Sequence, residues 1–411
     1  MKYENGLTSL LLHNENSLCA SIIVFVQVGS IDENPSQAGL SHFLEHLMFK
    51  GSKNYPGDLM SRNVENMGGY INAATANEFT MYYINIQRNG VQESIKMLAD
   101  TMANPLFPLE EINMERKVVI EEIQRHLDNP GAVLSDKFYE TLYTQSNLKN
   151  RILGTTDIIA NISREEICDY YRTHYIPAKM FVVVAGNFDK TKVEKLISET
   201  FGKFPMHFMP KEIACLENIR VSKSIVEYGK VEVGYMYSGF LVEDIKEDSI
   251  YVADLATNIL GGGKTSRLYK SLYEDKHLVY NIDCSFSTHK GTCNVWIAAV
   301  FDAKNINGLK EEIENQIEDI IANGVTFEEL NRAKLSKQTS WYFSLETPFG
   351  VAETYGYWYL MNKKEFIDDY INKIESVTVD DIKHFFEKFY SNKTFCDVAL
   401  LPINNNGFII K

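Results

Sequence analysis

The chain has no long apolar run, no paired-cysteine motif and no excess of positive charge, and each absence removes a class of function. No stretch reaches the roughly 18 apolar residues that a membrane span requires. The first twenty residues, MKYENGLTSLLLHNENSLCA, lack the basic region and apolar core of a secretory signal. Cys19, Cys168, Cys215, Cys284, Cys293 and Cys396 are scattered without a C-x-x-C, so neither a thiolate zinc site nor a dithiol redox motif is written here. Reduced and mostly buried thiols are expected. Lys and Arg number 41 against 55 Asp and Glu, a net charge of −14, which argues against nucleic-acid and anionic-membrane partners. The expected setting is the cytoplasm. A phosphate loop is also missing: GGGKT at 261–265 would need Gly at 258, where Asn258 stands, so these glycines are expected to close a helix.

What is present is enough apolar material for folding, 45% of 411 residues, in a length that suggests two or three domains. Ser17 to Ser30 is a β-branched run ending in glycine, and Gly69 to Arg88 ends in alternating aromatic and aliphatic residues, as strands do. Ala38 to Phe49 and Pro108 to His126 read as helices. Mixed strands and helices without a regular βαβ rhythm predict an α+β fold, with helices packed on mainly antiparallel sheets. The sequence also repeats itself. Glu166 to Gly186 is echoed by Asp381 to Leu401, an aromatic helix end followed by an apolar strand in both, and Leu40 to Gly51 lines up with Val252 to Gly263. Two related domains are therefore expected, 1–205 and 222–411, joined by a polar, Pro-containing linker at 206–221.

The first half carries the chemistry. In His42-Phe43-Leu44-Glu45-His46 the residues Leu40, Phe43, Leu44 and Leu47 form an apolar helical stripe. On such a helix His42 and His46 project from one face and can offer an imidazole nitrogen each to one cation, with Glu45 beside them. Two neutral imidazoles suit zinc, and a carboxylate beside a zinc-bound water can take its proton and pass it to a leaving amine. Catalytic zinc commonly has three protein ligands. The best source of a third is the acidic helix LEEINMERKVVIEEIQRH at 109–126, where Glu115 and Glu122 lie two turns apart on a face with Val118 and Val119, and Glu121 competes. The counterparts of His42, Glu45 and His46 in the second half are Asp254, Thr257 and Asn258, so the second domain is expected to lack a metal site.

HFLEH followed by LMFKG, then GGYINAATANEFTMYY, then ERKVVIEEI resembles the inverted-zinc-motif metallopeptidases of the pitrilysin, insulin-degrading enzyme and mitochondrial processing peptidase family, in their short two-domain branch. The resemblance covers nearly the whole chain. It implies one zinc ion held by His42, His46 and Glu122, with Glu45 as general base and Glu115 orienting the ligands from behind. Asn72 and Ala73 match the family's substrate-binding edge strand, to which a peptide adds as an extra strand. Family members that work alone carry a second-domain Arg and Tyr; here Tyr273 stands in place of the Arg and Tyr280 in place of the Tyr, and Arg267 is not promoted to the missing role. Tyr280 would donate a hydrogen bond to the transition state. The implied protein is a zinc endopeptidase acting on peptides or unfolded segments inside a dimeric chamber. Its partner would be an identical chain or a related one carrying the Arg-Tyr pair. The alternative is a non-catalytic structural or peptide-binding subunit.

Overall fold

A computed structural model describes residues 1–206, 222–242, 248–363, 365–390 and 395–403. The expected linker, apart from Met206, and Cys215 lie outside them.

The chain forms two compact units, each built on a five-stranded sheet. In the first unit the strands are β1 (Thr8–His13), β2 (Cys19–Val26), β3 (Tyr70–Thr75), β4 (Thr80–Gln87) and β5 (Met180–Gly186), in the order β1-β5-β2-β4-β3. In the second they are β6 (Lys223–Gly229), β7 (Gly234–Val242), β8 (Val279–Ser287), β9 (Cys293–Phe301) and β10 (Cys396–Pro402), in the order β6-β10-β7-β9-β8. The two orders are the same once each strand is matched to its counterpart. β1 runs parallel to β5 and β6 parallel to β10, while every other pairing is antiparallel. The α+β class and the duplication read from the sequence are both present, with one parallel pair per sheet.

Burial explains the first sheet's composition. β2 and β5 are central and covered on both faces, so they read as continuous apolar runs, CASIIVFV and MFVVVAG. Ile22, Val24 and Val26 join Tyr82 and Ile84 of β4 in the core shared with the helix Leu40–Met48. Ile23, Phe25 and Tyr83 have the opposite parity and face the other way. That second face is covered by the helix Pro348–Leu360: Phe349 lies 4.6 Å from the Tyr83 ring, and Tyr359 lies 4.9 Å from the Phe181 ring.

The compact units therefore do not follow the contiguous boundaries 1–205 and 222–411. The first comprises Met1–Arg125, 150–206 and 342–363; the second comprises His126–Lys149, 222–242, 248–341, 365–390 and 395–403. The physical reason is that each sheet has two apolar faces, and the helix covering the second face comes from far along the chain. In the second unit that helix is Pro130–Leu142, whose Phe138 ring stands 5.7 Å from Tyr237 of β7.

Candidate metal centre

The helix Leu40–Met48 begins at Gly39, whose φ of 91° favours glycine. Its first turn is held by a buried carboxylate, Glu33, which accepts from the backbone N–H of Gly39 and of Ser41, at 2.7 Å each. Leu40, Phe43, Leu44 and Leu47 are all at most 1% exposed, which fixes the helix's rotation and turns His42 and His46 toward the acidic helix Leu109–Leu127. That helix is anchored by Ile112, Glu115, Val119 and Ile123. Of the two valines that the sequence puts on one face with Glu115 and Glu122, Val119 is buried and Val118 is 41% exposed.

Three donors converge. Nε2 of His42 stands 3.7 Å and Nε2 of His46 stands 3.6 Å from Oε2 of Glu122. Ligands of a tetrahedral zinc, each about 2.0–2.2 Å from it, are roughly 3.3–3.6 Å from one another, so these spacings fit that ion. Glu121 is exposed and takes no part. Among the described residues this is the one group of three such side chains placed to hold a metal.

The electrostatics agree with a metal site. Burial, and then the neighbouring His46, lower the His42 pKa to about 4, so its imidazole is neutral and free to coordinate near pH 7. Nδ1 of His42 is buried without a hydrogen-bond partner. His46 is oriented differently: its Nδ1 meets Oε2 of Glu115 at 3.1 Å, which leaves Nε2 for the cluster. Oε1 of Glu115 in turn meets Nζ of Lys50 at 2.6 Å.

Glu45 lies on the same helix, half-buried, and accepts at Oε2 from the Thr75 hydroxyl of β3 at 2.8 Å. Burial raises its carboxyl pKa. The edge strand is thus tied directly to this carboxylate. On that edge the Ala73 N–H donates to Oδ1 of Asn72 at 2.9 Å, and Nδ2 of Asn72 donates to the Tyr70 hydroxyl at 2.8 Å. Lys50, Thr75 and Glu33 were not singled out in the sequence. Only Thr75 had a signal there, since Ile71, Ala73 and Thr75 share one face of a strand by parity.

Tyr273 and Tyr280 belong to the second unit. Tyr280 is 60% exposed at the start of the edge strand β8, where the pairing jumps from Val279 to Asn281, making Tyr280 the extra residue of a bulge. Tyr273 is 41% exposed and stacks on Tyr269. Arg267 is committed elsewhere, to Asp319 and Glu329 at 2.7 Å each and to the Gly324 carbonyl. In the second unit Asp254, the counterpart of His42, pairs with Lys337 at 2.5 Å and accepts from the Tyr370 hydroxyl at 2.6 Å. An ammonium from the helix Phe327–Ser344 thus supplies the positive charge beside that carboxylate.

Two imidazoles and a carboxylate thus converge beside a half-buried glutamate, a donor set whose chemistry suits a zinc ion, and among the described residues the duplicated α+β scaffold carries such a group once. Two family models match the chain: residues 9–156 match Insulinase (Peptidase family M16), and residues 161–337 match the Peptidase M16 inactive domain. The chain belongs to peptidase family M16. It is similar to the uncharacterized zinc protease YmxG of Bacillus subtilis, with 26% identity over 98% of this chain and 97% of the relative. An uncharacterized zinc protease of Rickettsia felis is 28% identical over 99% of this chain and 98% of its own. The crystal structure of a protease from Helicobacter pylori shares the fold, with a TM-score of 0.91 at 23% identity over 98% of each chain.

Proposed function

We propose that this chain is a zinc-dependent endopeptidase whose metal is held by His42, His46 and Glu122. The observation that carries the reading is the approach of both Nε2 atoms to Glu122 within 3.7 Å, with Glu45 fixed beside them by Thr75. A zinc ion held by these three side chains would supply Lewis acidity and lower the pKa of a water, so that its deprotonated form is available as nucleophile near neutral pH. Glu45 takes the proton at its carboxylate and returns it to the leaving nitrogen, and its raised pKa suits both steps. Glu115, backed by Lys50, keeps the His46 ring in place. A peptide pairs with the β3 edge at Asn72 and Ala73, displacing the Asn72 amide from the Ala73 N–H. Tyr280 serves as a hydrogen-bond donor to the transition state. The chamber is completed by a second copy or by a related chain carrying the Arg that Tyr273 replaces here.

The test is mass-spectrometric detection of peptide cleavage by the purified chain supplied with zinc, beside its Glu45→Gln variant. Zinc-dependent cleavage that disappears in the variant, with zinc still bound, is the expected result. Equal turnover by the variant would remove Glu45 as the base. Bound zinc without cleavage by either would favour a peptide-binding subunit.

A further inference from the structure

We infer that the face of the first sheet turned away from the metal ligands carries a subsite for a basic side chain of the peptide, formed by Tyr70, Tyr83, Phe349 and Glu353. The inference rests on the peptidase reading and adds a substrate class to it. Strand parity supplies the geometry. Thr75 reaches Glu45 on the metal face, so Tyr70 and Asn72 point to the opposite one, where Tyr83 is the cross-strand neighbour of Asn72. There Tyr83 lies 6.2 Å from the Tyr70 ring and 4.6 Å from the Phe349 ring. Glu353 follows Phe349 by one helical turn, so it lies on the same side of the helix Pro348–Leu360, and its charge is felt at the Tyr83 hydroxyl.

Glu353 is half-buried, burial raises its pKa, and it pairs with no cation or hydrogen-bond donor among the described residues. A carboxylate in that position is costly unless a partner arrives. A guanidinium or ammonium satisfies it and gains the faces of the neighbouring rings as well. An extended peptide paired to β3 directs alternate side chains to the two faces of the sheet, so the residue next to one facing the metal reaches these aromatic rings and Glu353. The chain's net charge of −14 favours basic peptides in the same direction.

The experiment uses the full chain as its Glu45→Gln variant, zinc-loaded, with fluorescent peptides that carry either Arg or norleucine at each position in turn. Binding is read by anisotropy. Expected is an about tenfold preference for Arg at positions of one parity, falling to near unity in Glu45→Gln/Glu353→Gln and turning toward Glu peptides in Glu45→Gln/Glu353→Lys. If a Glu353 variant does not fold, Tyr70→Leu at a 55% exposed position still tests the rings and should cut the preference about threefold. Equal binding of Arg and norleucine peptides, a preference untouched by Glu353→Gln, or no peptide binding at all overturns the subsite. Cleavage of the same peptides by the wild-type chain is scored separately. Cleavage without an Arg preference removes the subsite alone, whereas Arg-dependent binding without cleavage removes the peptidase reading alone.

Discussion

Glu121 and Glu122 are neighbours in sequence with opposite surroundings, and a hundred degrees of helical rotation separates them. Glu122 reaches both imidazoles, while Glu121 faces solvent. Glu122→Gln is therefore expected to weaken zinc binding by about a hundredfold or more, Glu115→Gln by about tenfold through His46, and Glu121→Gln by less than about twofold. Competition with a chromophoric chelator measures all three, and the reverse order for 121 and 122 would assign the wrong ligand. A second residue-scale prediction concerns His174, whose Nδ1 is buried without a partner against the Tyr170 ring. Burial, then Lys179, lowers its pKa to about 4 from an ordinary 6.5. Between those values the unfolded chain binds the extra proton and the folded chain does not, so this group's contribution is intact above about pH 6.5 and is lost as pH falls toward 4. His174→Phe should remove that slope. Melting temperatures of the two proteins should differ increasingly in the variant's favour from pH 7 to pH 4.5, and a constant difference would show that His174 does not titrate this way.

At the scale of elements, the metal helix was legible because a short apolar stripe and two histidines four apart admit one orientation, and the observed helix Leu40–Met48 lies within the expected 38–49. The acidic helix was legible in extent, Leu109–Leu127 against an expected 108–126, but not in which of its two adjacent valines is buried. Val118 and Val119 look equivalent in sequence, and only tertiary contacts decide which is buried. How the metal helix is anchored was not legible either, because it depends on contacts between distant segments. Glu33 caps it from six residues before Gly39, and the chain at Leu153–Gly154 crosses directly over Ala38–Gly39. A Cβ on Gly154 would stand 2.1 Å from the Ala38 carbonyl oxygen, at a φ of 69° that disfavours any side chain. Gly154→Ala is accordingly expected to destabilise the protein by about 2–4 kcal/mol and to loosen zinc binding by tilting the helix that carries both histidines. Chemical denaturation and zinc titration check the two effects, and a neutral substitution would mean that the crossing is not tight.

At the scale of the molecule, the repeat was legible and the exchange of helices was not. The aromatic helix-strand segment Glu166 to Gly186 and its echo Asp381 to Leu401 run into β5 and β10, which hold the same place in the two sheets. Nothing local in Pro348–Leu360, however, says which sheet it covers, because any helix with an apolar face satisfies either one. Gly356 carries the specificity: a Cβ there would meet Cε2 of Phe25 at 2.1 Å, so the helix lies against β2 where it has no side chain. Gly356→Val, though 331 positions after Phe25 in sequence (356 − 25), is expected to destabilise the first unit by about 1–3 kcal/mol. The same contact argues against dividing the chain at its midpoint. A fragment of residues 1–206 would expose Phe25 and Phe181, each fully buried in the whole protein, along with the rest of the face that Pro348–Leu360 covers. Such a fragment expressed alone should aggregate or bind zinc at least about tenfold more weakly, by the exposure of an apolar sheet face. Co-expression with the remainder of the chain should restore a soluble zinc-binding complex. A soluble, folded 1–206 fragment with full zinc affinity would show that the half carrying His42, His46 and Glu122 needs nothing from the end of the chain, and the helix would then be a cover rather than part of the first unit's core.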